Sequence, residues 1–313
     1  MTANSHNKIQ VGISSCLLGH KVRFDAQHKE QRLITGKLVN KFDFVPVCPE
    51  VAIGLGVPRT PIHLVGDQHE PRAVNVRDES IDVSEKLIEF GLQKAQQLDT
   101  ISGYIFKKGS PSCGLFNVKI YKSKTSVLSG GMGLYARQIT NKNPLLPVEE
   151  EGRLSDPVLR HNFLQRVEVY HRWQLLNADG LSKNGLVQFH TRHKFMLLAH
   201  CEFTYRSLGP LVAQLGRNDL PTFAQEYITM LMSGLQKPTS RGKQTNVLEH
   251  LAGFIKGDLD RHDKQEMRQL IERYREGDVP LEALLTLLRH YFRKFPRRYV
   301  LQQYYLNDVC PEV

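Results

Sequence analysis

The sequence predicts an α/β N-terminal domain with a mainly parallel sheet, followed by an all-α C-terminal domain of about six helices. Three observations carry this expectation. Short β-branched apolar runs, bounded by Gly, Pro, Asp or Ser, alternate with helical patterns through the first half. From about residue 185 onward the apolar residues recur at helical spacing. Between the halves lies a polar, proline-containing stretch from Asn141 to Pro157, which includes Glu149-Glu150-Glu151-Gly152. A length of 313 residues suits two domains.

In chain order, strands are expected over 9–13, 44–47, 62–65, 73–76, 102–106 and 117–121. A helix runs from Ser84 to Leu98, with apolar residues at helical spacing. Ser129-Gly130-Gly131-Met132-Gly133 reads either as a phosphate cradle at a helix N-terminus or as a plain turn. A helix starts near Asp156, with Asp156 as N-cap and Pro157 in the first helical position. The expected domains are therefore 1–155, a connecting helix and linker over 156–184, and 185–313. Within the last, breaks are expected at Gly209-Pro210, Asp219-Leu220-Pro221, Lys237-Pro238 and Val279-Pro280.

The composition is that of a globular chain, with 41% hydrophobic residues. No apolar stretch approaches the roughly 20 residues of a membrane span. Met1–His6 lacks a basic region followed by an apolar one, so a cytoplasmic location without a membrane partner is expected. No obligate protein partner is implied. The net charge is +10. Such a balance favours a polyanionic partner such as nucleic acid, and it equally describes a basic, solvated surface.

Five cysteines are present, at 16, 48, 113, 201 and 310, widely spaced and without CxxC. Neither a disulfide framework nor a local zinc finger fits that pattern. Cys16, Cys48 and Cys113 each follow a short apolar run and sit in turn-forming sequence. If the runs are strands, all three thiols lie at strand carboxyl ends, the edge where open parallel sheets bind ligands. Three thiolates there can hold an iron–sulfur cluster and leave one iron free for chemistry. The alternative for each is a buried small hydrophobe.

Glu50 shares a loop with Cys48, and a carboxylate beside a metal centre can act as general base towards water. The alternative is an ordinary acid at a helix start. Ser110 and Ser112 flank Cys113 closely enough to orient a substrate or a bound sulfur, or simply to shape the turn.

With these motifs in place, the first half resembles the thiouracil-desulfidase family (TudS). The resemblance rests on Ser14-Ser15-Cys16-Leu17-Leu18-Gly19, on Cys48-Pro49-Glu50-Val51 with its trailing Gly and Pro58-Arg59, and on Ser110-Pro111-Ser112-Cys113-Gly114. It implies a [4Fe–4S] cluster on Cys16, Cys48 and Cys113, with Glu50 and Ser110 assisting removal of sulfur from a thiocarbonyl. The second half resembles a YbgA-like domain through Phe189–Lys194, Asn246–Gly253 and Leu287–Tyr291. That fusion implies a desulfidase of 4-thiouridine in tRNA, with the helical domain binding the RNA.

His190, His193 and Lys194 share a helix face by their spacing, with Arg192 beside them. Arg289, Arg293 and Arg297 lie in a basic stretch interleaved with Tyr291, Phe292, Phe295 and Tyr299. Phosphate contacts and base stacking can both come from such a stretch, although aromatic residues at helical spacing are commonly core. A metal site from His190, His193, His200 and Cys201 is a further option on paper. Two functional alternatives stay open: desulfidation of a free thiolated base such as 2-thiouracil, and a non-catalytic iron–sulfur or redox-sensing nucleic-acid-binding protein.

Overall fold

The computed structural model describes residues 8–123, 126–215 and 219–307. The chain divides into two compact units between Gln174 and Leu175. In the first unit, β1 (Ile9–Ser14) leads through a 3-10 turn to α1 (Arg32–Gly36), β2 (Phe42–Val47) and α2 (Pro49–Ala52). Next come β3 (Ile62–Gly66), β4 (Pro71–Asn75), α3 (Ser84–Gln97), β5 (Tyr104–Phe106), β6 (Val118–Tyr121), β7 (Val127–Gly131), α4 (Leu134–Lys142) and β8 (Val148–Glu150). Helix α5 (Pro157–Ala178) carries the chain across the division. Its start is as expected: Asp156 accepts from the Val158 and Leu159 amides at 2.8 and 3.1 Å, with Pro157 in the first turn. Gln174 ties it to the first unit by donating to the carbonyls of Asp99 and Ile101.

Two sheets form the unit. The first is fully parallel, in the order β2-β1-β5-β8. The chain leaves β1 for β2 on one side and later enters β5 on the other. The crevice at the carboxyl end of β1 is therefore a topological switch point. The second sheet, β4-β3-β6-β7, pairs β3 with β6 in parallel and closes both edges with antiparallel hairpins. It adds to the single sheet expected from sequence, because the alternation of apolar runs does not encode hairpin pairing.

Helices α3 and α4 serve both sheets. Leu87 and Leu134 join the core over the second sheet. Ala95, Leu98, Tyr135 and Ile139 join the core over the first, around Tyr104 and Phe106. Tyr104 and Phe106 stack at 3.9 Å, and the Tyr104 and Tyr135 hydroxyls meet at 3.2 Å. Full burial of one such ring, Phe106, stabilises by about 1.5–3 kcal/mol.

Two segments depart from the sequence expectation. Residues 127–131 form strand β7, and the start of α4 is already occupied: Leu134 and Ala136 amides donate to the carbonyls of Pro111 and Ser112. The suggested phosphate cradle is thus a clamp on the Cys113 loop. The triple glutamate is not an exposed linker either. Glu149, Glu150 and Glu151 are all buried, at the edge of the first sheet. Glu150 accepts from the Leu115 and Phe116 amides at 2.9 and 3.1 Å, and Glu151 accepts from the Lys108 amide at 2.7 Å and from the Lys107 ammonium.

The second unit is helical. It contains α6 (Lys183–His200), α7 (Glu202–Ala213), α8 (Leu220–Leu235), α9 (Arg241–Gly253), α10 (Arg261–Glu276) and α11 (Leu281–Lys294), then the single-turn α12 (Arg298–Leu301) and α13 (Tyr304–Asn307). Ser182, Asp219, Ser240 and Asp260 cap four of these helices through their side chains. Val247, Leu251, Met267, Leu284, Leu288 and Phe292 belong to one shared core. The expected breaks fall between helices except Gly209-Pro210, since Pro210 lies inside α7. There the ring costs one backbone hydrogen bond without ending the helix. Among the described residues no helix is long and apolar enough to cross a membrane.

The clamp on the Cys113 loop depends on Gly133. A Cβ there meets the Ser112 backbone at 2.4 Å. Gly133→Ala is expected to cost about 1–3 kcal/mol of stability through overpacking. Urea unfolding followed by fluorescence of Trp173, the sole tryptophan, measures the loss.

Candidate active site

Three neighbouring strands deliver the three cysteines to one place. Cys16 sits in the 3-10 turn after β1, Cys48 is the N-cap residue of α2 after β2, and Cys113 lies in the loop after β5. Because β2, β1 and β5 are adjacent and parallel, their carboxyl ends share one rim. The three thiols line a cavity of about 350 Å³ together with Glu50, Arg59, Ser110 and Ser112. Cys16 and Cys113 are buried and Cys48 is half-buried, and none is in a disulfide.

Their electrostatics reflect this crowding. Burial pushes the Cys16 thiol up to about 11; Cys48 adds to the rise, and Lys107 and Arg23 oppose it. Burial also raises Cys48, against the nearby Val51 amide, with Glu50 adding and Arg59 opposing. Cys113 is raised well above the ordinary range by burial, relieved by the Ser14 hydroxyl and worsened by Cys48, Glu50 and Cys16. Cys48 thus raises both of the other thiols, as a group facing a common space does.

Glu50 is held from both sides. Arg59 Nε and Nη2 donate to Oε2 at 3.0 and 2.7 Å, while Arg59 Nη1 donates to the carbonyls of Val22 and Gly56. Ser112 Oγ donates to Oε1 at 2.6 Å. Ser112 has one proton and gives it to Glu50, so Ser110 is the donor in the 3.0 Å contact between the hydroxyls. Ser110 Oγ also accepts from the Cys113 amide at 3.1 Å. The result is a directed chain from Ser110 through Ser112 to Glu50 Oε1. The sequence marks Arg59 only as part of a motif and gives Ser112 no link to Glu50. The nine residues from Glu50 to Arg59 hide an ion pair that only the turn brings together.

The donor set fits an iron–sulfur cluster. Soft thiolates select such clusters, and three of them leave one iron without a protein ligand. Cations at the same cavity, Arg23, Lys29, Arg59 and Lys107, suit an assembly of thiolates. Among the described residues no three His, Cys, Asp or Glu side chains are grouped to grip a single metal ion. A cluster asks for a different arrangement, with each thiolate on its own iron. Cys201 belongs to the second unit, between α6 and α7. Cys310 falls outside the described residues.

The residues singled out for RNA in the second unit divide. His190 and His193 share a face, but that face is core. Burial and Lys194 push His190 down to about 4, so it is neutral near pH 7. His193 Nδ1 donates to the Phe189 carbonyl at 2.7 Å, and its ring packs on Phe189 and Tyr304. Neither histidine presents a surface to RNA. Nor do they form a metal site with His200 and Cys201, since the described residues hold no such grouping of three ligating side chains. Lys194 Nζ lies 5.6 Å over the Tyr205 ring. Arg289 pairs with Glu282 at 2.6 Å, and Arg297 pairs with Asp258. Arg192 and Arg293 are exposed. Tyr291 and Phe292 are core, and Phe295 and Tyr299 pack against it, so the aromatic interleaving serves packing.

Comparison with known proteins agrees with this division. The family described as 2-thiouracil desulfurase matches residues 11–151. A family described as a protein of unknown function (DUF1722) matches residues 194–309. Uncharacterized protein YbgA of Escherichia coli (strain K12) is 32% identical over 151 residues, covering 48% of this chain and 89% of that protein. Uncharacterized protein YbbK of Bacillus subtilis (strain 168) is 34% identical over 109 residues, covering 33% of this chain and 71% of that protein. A solved structure described as a [4Fe-4S]-dependent thiouracil desulfidase, TudS, is similar at 26% identity and a TM-score of 0.37, covering 47% of this chain and 94% of that one. The chain belongs to the 2-thiouracil desulfurase family through its first unit, fused to a YbgA-like domain in its second.

Proposed function

We propose that the protein is a [4Fe–4S]-dependent desulfidase that converts 4-thiouridine in tRNA to uridine. Water replaces sulfur at the thiocarbonyl carbon, and hydrogen sulfide leaves with no net redox change. The observation that carries this reading is the meeting of Cys16, Cys48, Cys113 and Glu50 in one cavity. When bound by those thiolates, the cluster would supply a Lewis-acidic iron with an open position suited to soft sulfur.

The chain's own residues manage protons and orientation. Arg59 occupies Glu50 Oε2, which leaves Oε1 as the atom that takes a proton. The Ser110–Ser112 chain ends on that atom and links it to the cavity. A base fixed from two sides loses little freedom when it acts, which is a geometric gain in rate. At the cavity wall, Phe24 is exposed, with the Arg23 guanidinium 5.3 Å from its ring centroid. Lys29, Lys107 and Lys108 line the same cavity. An aromatic face among cations suits a base carrying phosphates. The cavity volume also admits a free base, which favours 2-thiouracil as the second reading. Anaerobic reconstitution, followed by loss of near-ultraviolet absorbance from 4-thiouridine tRNA or from 2-thiouracil, tests both. Turnover of neither substrate by reconstituted protein rejects the enzyme.

Three outcomes follow. Serine in place of Cys16, Cys48 or Cys113 is expected to abolish the visible absorbance of the reconstituted cluster, while Cys201→Ser keeps it. Glu50→Gln is expected to keep the cluster and lose turnover by about 100-fold or more, read from single-substrate kinetics. Arg59→Met leaves Glu50 as a largely buried charge without its cation. It is expected to lower stability by about 3–5 kcal/mol in urea unfolding, and Glu50→Gln in the same chain should restore part of that.

A further inference from the structure

The second unit carries a cavity that the sequence did not single out. It measures about 310 Å³ and lies between the end of α9, the loop after it, and α10. Leu259, Met267 and Ile271 give it a buried apolar floor. Lys256, Lys264 and Arg268 line it as well. Lys256 and Arg268 are exposed and Lys264 is half-buried. Lys264 and Arg268 are four residues apart on α10, so their charges project from one face.

These cations differ from the arginines that the sequence favoured. Arg289 and Arg297 are committed to Glu282 and Asp258. Lys256, Lys264 and Arg268 have no carboxylate partner among the described residues. Of the acids near them in sequence, Asp258 pairs with Arg297, Asp260 caps α10, Asp263 accepts from the Tyr291 hydroxyl and Glu272 pairs with Arg275, while the exposed Glu266 is not among the residues that line the cavity. Glu249 also lines the cavity, leaving three positive charges against one negative. Three cations over an apolar floor match a nucleotide strand, whose phosphates seek charge and whose sugar and base faces bury apolar surface.

We infer that this cavity docks the phosphate backbone of the RNA substrate, through Lys256, Lys264 and Arg268. The inference rests on the tRNA reading given above and adds the place of contact. It is tested on the full-length protein with 4-thiouridine tRNA, by filter binding at two salt concentrations. Lys264→Glu with Arg268→Glu is expected to weaken binding by about 10-fold or more and to reduce the salt slope by about 2, one per lost phosphate contact. Turnover of free 2-thiouracil should stay at the wild-type rate. Lys256→Glu with Arg268→Glu, both at exposed positions, should show the same loss and guards against misfolding of the first pair. Lys86→Glu with Lys183→Glu, both at exposed positions, makes the same change in net charge away from the cavity and should leave affinity near wild type. Equal losses from the cavity pairs and this pair would trace binding to net charge and overturn the assignment. Wild-type affinity in both cavity pairs would overturn it too. Polyglutamate competing as well as unmodified tRNA would point to an acidic protein partner and likewise overturn it. A wild-type protein that binds no tRNA at either salt concentration would instead reject the tRNA reading itself.

Discussion

Three thiols gathered at one cavity, two buried and one half-buried, are the constraint around which the first unit is built. Burial disfavours each thiolate, and every neighbouring negative charge makes the next ionisation harder. The fold answers with cations and hydroxyls placed singly: Lys107 and Arg23 for Cys16, Arg59 for Cys48, the Ser14 hydroxyl for Cys113. None of these outweighs burial, so all three thiols remain raised. A metal centre held by these thiols would add positive charge there, since metal ligation couples directly to loss of the thiol protons. Parallel pairing of β2, β1 and β5 is what makes the crowding possible, because it delivers three chain-distant loops to one edge.

Holding the third loop takes more than the strand before it. Strand β5 is only three residues long, and the Cys113 loop after it is fastened from two directions. The first turn of α4 donates to its carbonyls, and Glu150 and Glu151 accept from amides at both ends of it. Buried carboxylates are tolerable when their oxygens are paired in this way. With Glu149 paired to Arg153, this explains why a run of three glutamates lies buried at the edge of the first sheet, where a charge run would ordinarily mark a linker.

The cysteine loops were legible in the sequence because each follows a short β-branched run and sits in turn residues. Those are local signals, and the strands at 9–14, 42–47 and 104–106 follow from them. Glu150 and Glu151 were illegible because the amides they accept from lie more than thirty residues away in the chain. Ser112 is likewise distant from Glu50, and Arg59, only nine residues on, reaches it through the turn after α2. In the second unit the helices were legible from periodicity and caps, yet the direction of a face was not. Spacing alone places His190 and His193 together; it does not say that they point inward. Nor does composition distinguish Arg297, tied to Asp258, from Lys256, which is free to meet an anion.

In the proposed reaction Glu50 is the base, and its pairing has to leave one oxygen open to a proton. A bidentate ion pair would ordinarily engage both oxygens. Here the pair is one-sided: Arg59 reaches Oε2 with two donors, and its third nitrogen is anchored to the Val22 and Gly56 carbonyls. The guanidinium therefore acts as a rigid mount rather than a mobile counter-ion. Oε1 is left facing a hydroxyl, a partner that can both give and receive a proton. Ser112 gives its proton to Oε1 in the resting arrangement, and Ser110 gives its own to Ser112. A proton arriving at Ser110 can thus be passed on to Oε1 with every oxygen keeping its position. The cost of orienting the base is met when the protein folds, so little reorganisation is left for the chemical step.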